Sequence, residues 1–160
     1  MQAARGVRCL LLLFVWPAVA QAQTFWPSFI SGQFPGSSAS PVAAVLPADV
    51  SVTAPAQDVP ADKARWSGQW SGWACRDAAC DTKLVVELVT AEGATIVYAF
   101  ASERVKPFST RLQAKFVEDE MRAELRGGAK IAYRMRASGD LEFVWQKGGE
   151  WAAGVLSKAK

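Results

Sequence analysis

From Trp66 onward, apolar residues recur at every second position, and glycine-bearing turns interrupt them every few residues. No other feature constrains the fold as much, because period two puts one face of each segment in a core and the other in water. Leu84, Val86 and Leu88 alternate with Lys83, Val85, Glu87 and Val89, and Glu92-Gly93 supplies a turn. Ile96, Tyr98 and Phe100 form the next apolar set. Leu112, Ala114 and Phe116 precede the acidic triplet Glu118-Asp119-Glu120, and Met121, Ala123 and Leu125 follow it. Ile131, Tyr133 and Met135, then Leu141, Phe143 and Trp145, then Trp151, Ala153 and Val155 complete the series. They are separated by Gly127-Gly128, Ser138-Gly139-Asp140 and Gly148-Gly149. Short glycine-containing breaks between alternating runs are hairpin signals. The spacing predicts eight strands, at 66–74, 83–91, 94–101, 109–117, 121–126, 129–136, 141–147 and 150–157. The expected fold is all-β, an antiparallel up-and-down meander closing into a small barrel, which also removes exposed sheet edges.

Residues 110–126 admit a second reading. They are rich in good helix formers, Val117, Met121 and Leu125 are four apart, and Gly127 would end a helix. Two strands fit better, because period two holds on both sides of the triplet and a helix would put Leu112 and Ala123 on other faces.

The chain before Trp66 has a different character. Arg5 and Arg8 precede an apolar run over 9–16, and Ala18-Val19-Ala20 and Ala20-Gln21-Ala22 are small-x-small sites. This is the layout of a signal peptide over 1–22, cleaved before Gln21 or Gln23. The run is far short of the ~20 apolar residues of a membrane helix, so no transmembrane span is expected in the mature chain. Prolines at 27, 35, 41, 47, 55 and 60 break any helical or strand period over 23–65. That segment reads as a disordered Pro/Ala-rich linker, with Phe25-Trp26-Pro27-Ser28-Phe29-Ile30 as a candidate docking stretch. The folded domain is then 66–160, and the expected location is periplasmic or extracellular. Cys9 leaves with the signal peptide. In an oxidising compartment Cys75 and Cys80 pair as a disulfide, closing a small loop worth about 2 kcal/mol.

The missing chemistry is informative. The chain has no histidine, which removes Ser-His-Asp and Cys-His arrangements and a histidine general base. Two paired thiols without histidine leave no tetrahedral zinc set, and no metal or cofactor is expected. Glu118-Asp119-Glu120 reads as solvated hairpin charge rather than an acid/base pair. The expected function is therefore non-catalytic. A small hydrolase or isomerase using carboxylates and Tyr133 is the alternative, and it requires a cleft where a carboxylate faces Tyr133. Of 18 basic residues, Arg5 and Arg8 leave with the signal peptide, so 16 remain against 15 acidic. That balance lacks the concentrated basic footprint of a nucleic-acid binder.

The basic residues are unevenly placed. Arg111, Lys115, Arg122, Arg126, Lys130, Arg134 and Arg136 all fall on the outward register of the fourth to sixth strands. Adjacent hairpins would merge them into a stripe able to recruit an anionic envelope polymer, a lipid surface or an acidic protein. Inward residues are large and apolar. The interior is then either dry or holds one small apolar ligand near Tyr133, Phe143 and Trp145. Trp66, Trp73 and Trp151 would stack on sugars if exposed, which makes a carbohydrate-binding domain a further alternative.

Gly68-Gln69-Trp70, opening the first of these strands, resembles the Gly-x-Trp signature of the calycin superfamily: lipocalins, fatty-acid-binding proteins and avidin-like barrels. The resemblance covers 66–160. It implies that Gly68 and Trp70 belong to the closure of one barrel end, with a basic residue of the last strand packed over the tryptophan. Lys158 is the residue placed for that role. The other lipocalin motifs have no match here and the domain is short, so a roomy ligand calyx is not implied.

Overall fold

Each alternating segment becomes a strand: β1 (Gly68–Trp73), β2 (Cys80–Val89), β3 (Gly93–Ser102), β4 (Phe108–Val117), β5 (Glu120–Glu124), β6 (Lys130–Met135), β7 (Leu141–Lys147) and β8 (Glu150–Lys158). The computed structural model describes residues 42–73, 75 and 80–159. The expected signal peptide and residues 25–30 lie outside the described residues. The strands pair antiparallel in chain order, and β8 returns to β1 through Trp70↔Lys158, Ser71↔Ser157, Gly72↔Leu156 and Trp73↔Val155. The result is a closed eight-stranded meander barrel, a form compatible with a calycin-like fold. The helical alternative over 110–126 gives way to the β4–β5 hairpin, with Glu118 at its turn in the left-handed region (φ 57°). Cys75 and Cys80 are joined by a disulfide, Cα atoms 6.0 Å apart.

The interior is one apolar cluster built from alternate residues of every strand. Leu84, Val86, Ile96, Met121, Ile131, Tyr133, Leu141, Phe143 and Leu156 are fully buried in it. Burying each such side chain contributes about 1.5–3 kcal/mol. Tyr98 stacks on Phe143 at 5.7 Å between ring centroids, and Tyr133 meets the same ring at 5.1 Å.

One end is plugged. A single helical turn, α1 (Ala61–Ala64), brings Trp66 under the barrel, where it packs against Phe116 at 5.6 Å. The Trp70 indole donates to the Trp66 carbonyl at 3.1 Å, and Lys158 Nζ lies 5.1 Å from the Trp70 ring centroid. Gly68, at φ 127°, leaves room for the Lys158 stem to cross it. Trp66 and Trp70 are therefore core residues, whereas Trp73 and Trp151 are only half-buried.

Three expectations need correcting. Leu88 faces solvent at 44 % exposure, because a bulge between Val86 and Leu88 reverses the parity and turns Val89 inward. In β8, Leu156 is the core residue rather than Val155, and Trp151 and Ala153 join Ala132 and Val144 on the outer wall. Trp151-Ala152-Ala153-Gly154-Val155-Leu156 is apolar at both parities, so alternation does not choose a face. Volume does: Ala152 and Gly154 lie opposite the bulky Trp145 and Phe143.

The third correction concerns the linker. Residues 42–65 lie along the barrel instead of hanging free. Ala44 packs on Ala99 and Ala101, its N–H donates to Asp81 at 2.8 Å, and its carbonyl accepts from Lys83 at 2.7 Å. Further on, the Thr53 N–H donates to the Glu87 carbonyl at 2.7 Å. The cause is in the barrel wall. Val85, Val97, Ala99 and Ala101 point outward yet are apolar, so β2 and β3 need cover on both faces.

Candidate functional site: the seam between β4 and β5

β4 is ten residues long and pairs with β3 from Phe108 to Lys115, but β5 has only five residues. The β4–β5 ladder consequently holds three pairs, Lys115↔Arg122, Phe116↔Met121 and Val117↔Glu120, and stops there. Ala123 and Glu124 pair only with β6, and beyond Glu124 the chain enters a tight turn, closed by Leu125 N–H donating to the Ala129 carbonyl at 2.7 Å. The wall opens at this point into a cavity of about 400 Å³. Ala123 and Ile131 form its apolar floor. Gln113, Lys115, Val117, Arg122, Glu124 and Lys130 form its rim.

The structure divides the seven basic residues predicted to form a stripe. Four are held by carboxylates. Arg111 grips Glu87 with Nε at 2.7 Å and Nη2 at 3.0 Å, and its Nη1 reaches Asp49 at 3.1 Å. Arg122 and Arg134 take opposite oxygens of Glu120 at 2.7 and 2.6 Å, and Arg134 also pairs with Asp119 at 3.3 Å. Arg136 pairs with Glu142 at 3.4 Å. Lys115, Arg126 and Lys130 make no ion pair among the described residues. Lys115 on β4 and Lys130 on β6 both line the opening, so free positive charge collects there rather than along a stripe.

Glu120 differs from the solvated charge expected of it. It is 3 % exposed and clamped between two guanidinium groups, which leaves neither carboxylate oxygen open to a substrate. The Arg111 guanidinium holds the Glu87 carboxyl below the usual carboxylate range, against the opposing effect of its burial, with the Ser51 N–H adding to the depression. Arg111 lowers Asp49 in the same way.

Of the three residues expected near an interior pocket, Tyr133 and Phe143 sit inside the packed core, and Trp145 is partly buried against it. None lines the seam cavity. The Tyr133 hydroxyl is fully buried without a hydrogen-bond partner, and burial raises its pKa well above the ordinary phenol value, with Tyr98 adding to the effect. The hydrolase alternative needs a carboxylate facing this hydroxyl, whereas the Tyr133 ring packs on Phe143 and the ionisable group acting on the hydroxyl is Tyr98. Among the described residues no group of three or more His, Cys, Asp or Glu is placed to hold a metal ion. No helix among them is long and apolar enough to cross a membrane.

Sequence reasoning found Lys115, Arg122 and Lys130 but missed Gln113, Ala123 and Ile131 as partners in one site. The readable signal was the shortness of the strand ending before Gly127-Gly128, set against its long neighbour. Comparison with known proteins finds no family model that matches this chain, no matching curated protein and no matching solved structure.

Proposed function

We propose that this chain is a non-catalytic, exported binding module that recognises an anionic partner at the β4–β5 seam. The observation that carries the reading is the coincidence of an open wall, an apolar floor and the unpaired cations Lys115 and Lys130 in one place. Cationic groups at a concave opening concentrate field and draw anions to it. Polar groups there set orientation while the floor supplies apolar contact. The remaining features support the same setting. An N-terminal signal peptide would deliver the chain to an oxidising compartment, where the Cys75–Cys80 disulfide persists. The Gly-x-Trp motif and Lys158 over Trp70 support a calycin-like ancestry, with recognition moved from the barrel mouth to its side.

Elution from an immobilised sulfated dextran tests the reading. The wild-type protein is expected to need more salt to elute than Lys115→Glu or Lys130→Glu, because each reversal removes a free cation from the rim. Arg136→Glu, at the β6–β7 turn, outside the cavity lining and already paired, should elute close to wild type. Equal shifts for all three variants would mean that only net charge matters and that the seam is not a site.

A further inference from the structure

We propose that the seam receives an extended acidic segment of a partner protein, which adds as a strand to the free edge of β4. This rests on the seam being the binding site and specifies what fills it.

Backbone direction carries the inference. The Phe116 N–H donates to the Glu92 carbonyl at 2.9 Å, toward the β3 side. Backbone groups alternate along a strand, so those of Lys115, Gln113, Arg111 and Ser109 point the other way, toward β5. Lys115 finds its partner in Arg122, the last rung of that ladder. Ser109, Arg111 and Gln113 therefore present N–H and C=O groups to the seam beyond the last β4–β5 rung, where β5 pairs only with β6 and then turns away. An edge of this kind is a template for another strand.

The walls choose the sequence class of that strand. Residues of an added strand alternate between the two faces of the wall. One set would turn inward beside Leu112 and Ala123, which favours apolar side chains. The other would turn outward beside Lys115 and Lys130, which favours carboxylates. The charged groups lining the seam are Lys115, Arg122 and Lys130 against Glu124, a net +2. A second copy of this chain fits poorly, because pairing two β4 edges would bring both cationic rims together, and like charges across a ladder destabilise it.

The test uses the full chain and a terminally blocked heptapeptide of alternating Val and Glu, with a Val/Lys heptapeptide as control. The Val/Glu peptide should bind, lose affinity with salt, and slow amide exchange at Ser109, Arg111 and Gln113. Methylating the peptide nitrogens that face β4 should weaken binding by about tenfold, since each edge hydrogen bond lost leaves a paired group exposed. Gln113→Pro, which deletes a donor the barrel's own ladders do not use, should weaken it similarly. If Lys115→Glu abolishes binding while N-methylation and the three amides are unaffected, the seam recognises charge alone and the strand is wrong. If Lys115→Glu leaves peptide binding intact, both the strand and the seam reading fall. A dimer that protects the same amides without peptide would also overturn the proposal.

Discussion

Tyr133 and Glu87 are both buried groups capable of hydrogen bonding, and their surroundings treat them in opposite ways. The Tyr133 hydroxyl is fully enclosed and unpartnered. A buried polar group left without a hydrogen bond costs about 1–3 kcal/mol. The ring, in contrast, fills space against Phe143 and Met121 and must be kept. Tyr133→Phe preserves that volume and removes only the desolvated oxygen. It should raise the urea midpoint by the equivalent of about 1 kcal/mol, and a drop would show that the hydroxyl has a structural partner. Glu87 is buried too, but Arg111 and the Ser51 N–H satisfy both its oxygens. Reading residue types alone, the two positions looked reversed in importance. By residue type, Tyr133 is the one clear polar group among the inward-facing residues, while Glu87 reads as an ordinary outward charge. Its role depends on partners 24 and 36 positions away in the chain, which period-two patterning does not encode.

At the scale of the element, the segment 42–53 and the wall it covers behave as one unit joined by the Asp49–Arg111–Glu87 cluster. Glu87 and Asp49 both have carboxyls lowered by Arg111 in the folded state. A lowered carboxyl stabilises the fold fully above its unfolded pKa, near ~4.3 for Glu. That contribution is lost as pH falls through the folded value. The urea midpoint should therefore fall on acidification below about pH 4, and Glu87→Gln should be less stable than wild type at pH 7 but show a flatter acid limb. Parallel acid limbs for the two proteins would remove Glu87 from this role. The covered wall was legible in principle. β3 is apolar at both parities across Val97, Tyr98, Ala99, Phe100 and Ala101, which is how a strand buried on both faces reads. The proline spacing over 41–60 argued for a free linker and obscured that signal. Proline forbids regular structure, yet it does not prevent an irregular segment from lying on a sheet. The bulge at Val86/Leu88 left no signature of residue type at all, and one extra residue was enough to exchange the fates of Leu88 and Val89.

For the whole molecule, the decisive event is the meeting of β1 and β8, the first and last strands. Alternation and turns located every strand, and Trp70 of the Gly-x-Trp motif is buried with Lys158 over its ring. The closing pair itself depends on how near two backbones can come, and that is set by Gly72. It lies opposite Leu156, and a Cβ built on it runs into the Val155 carbonyl oxygen. Neither neighbour is the movable tip of a side chain, so the clash must be relieved by parting the strands or bending β8. Overpacking of this kind costs about 1–3 kcal/mol. Gly149, in the β7–β8 turn, has nothing within 4 Å of an added Cβ and carries no positive φ. Alanine there only reduces the freedom of the unfolded chain and should leave stability unchanged or raise it by about 0.4–1 kcal/mol. Gly72→Ala should therefore lower the urea midpoint and speed amide exchange along β1 and the facing half of β8. Gly149→Ala should do neither. If Gly72→Ala matched Gly149→Ala in both measurements, β1 and β8 would not be in tight register, and the protein would be an open sheet in solution rather than a closed barrel.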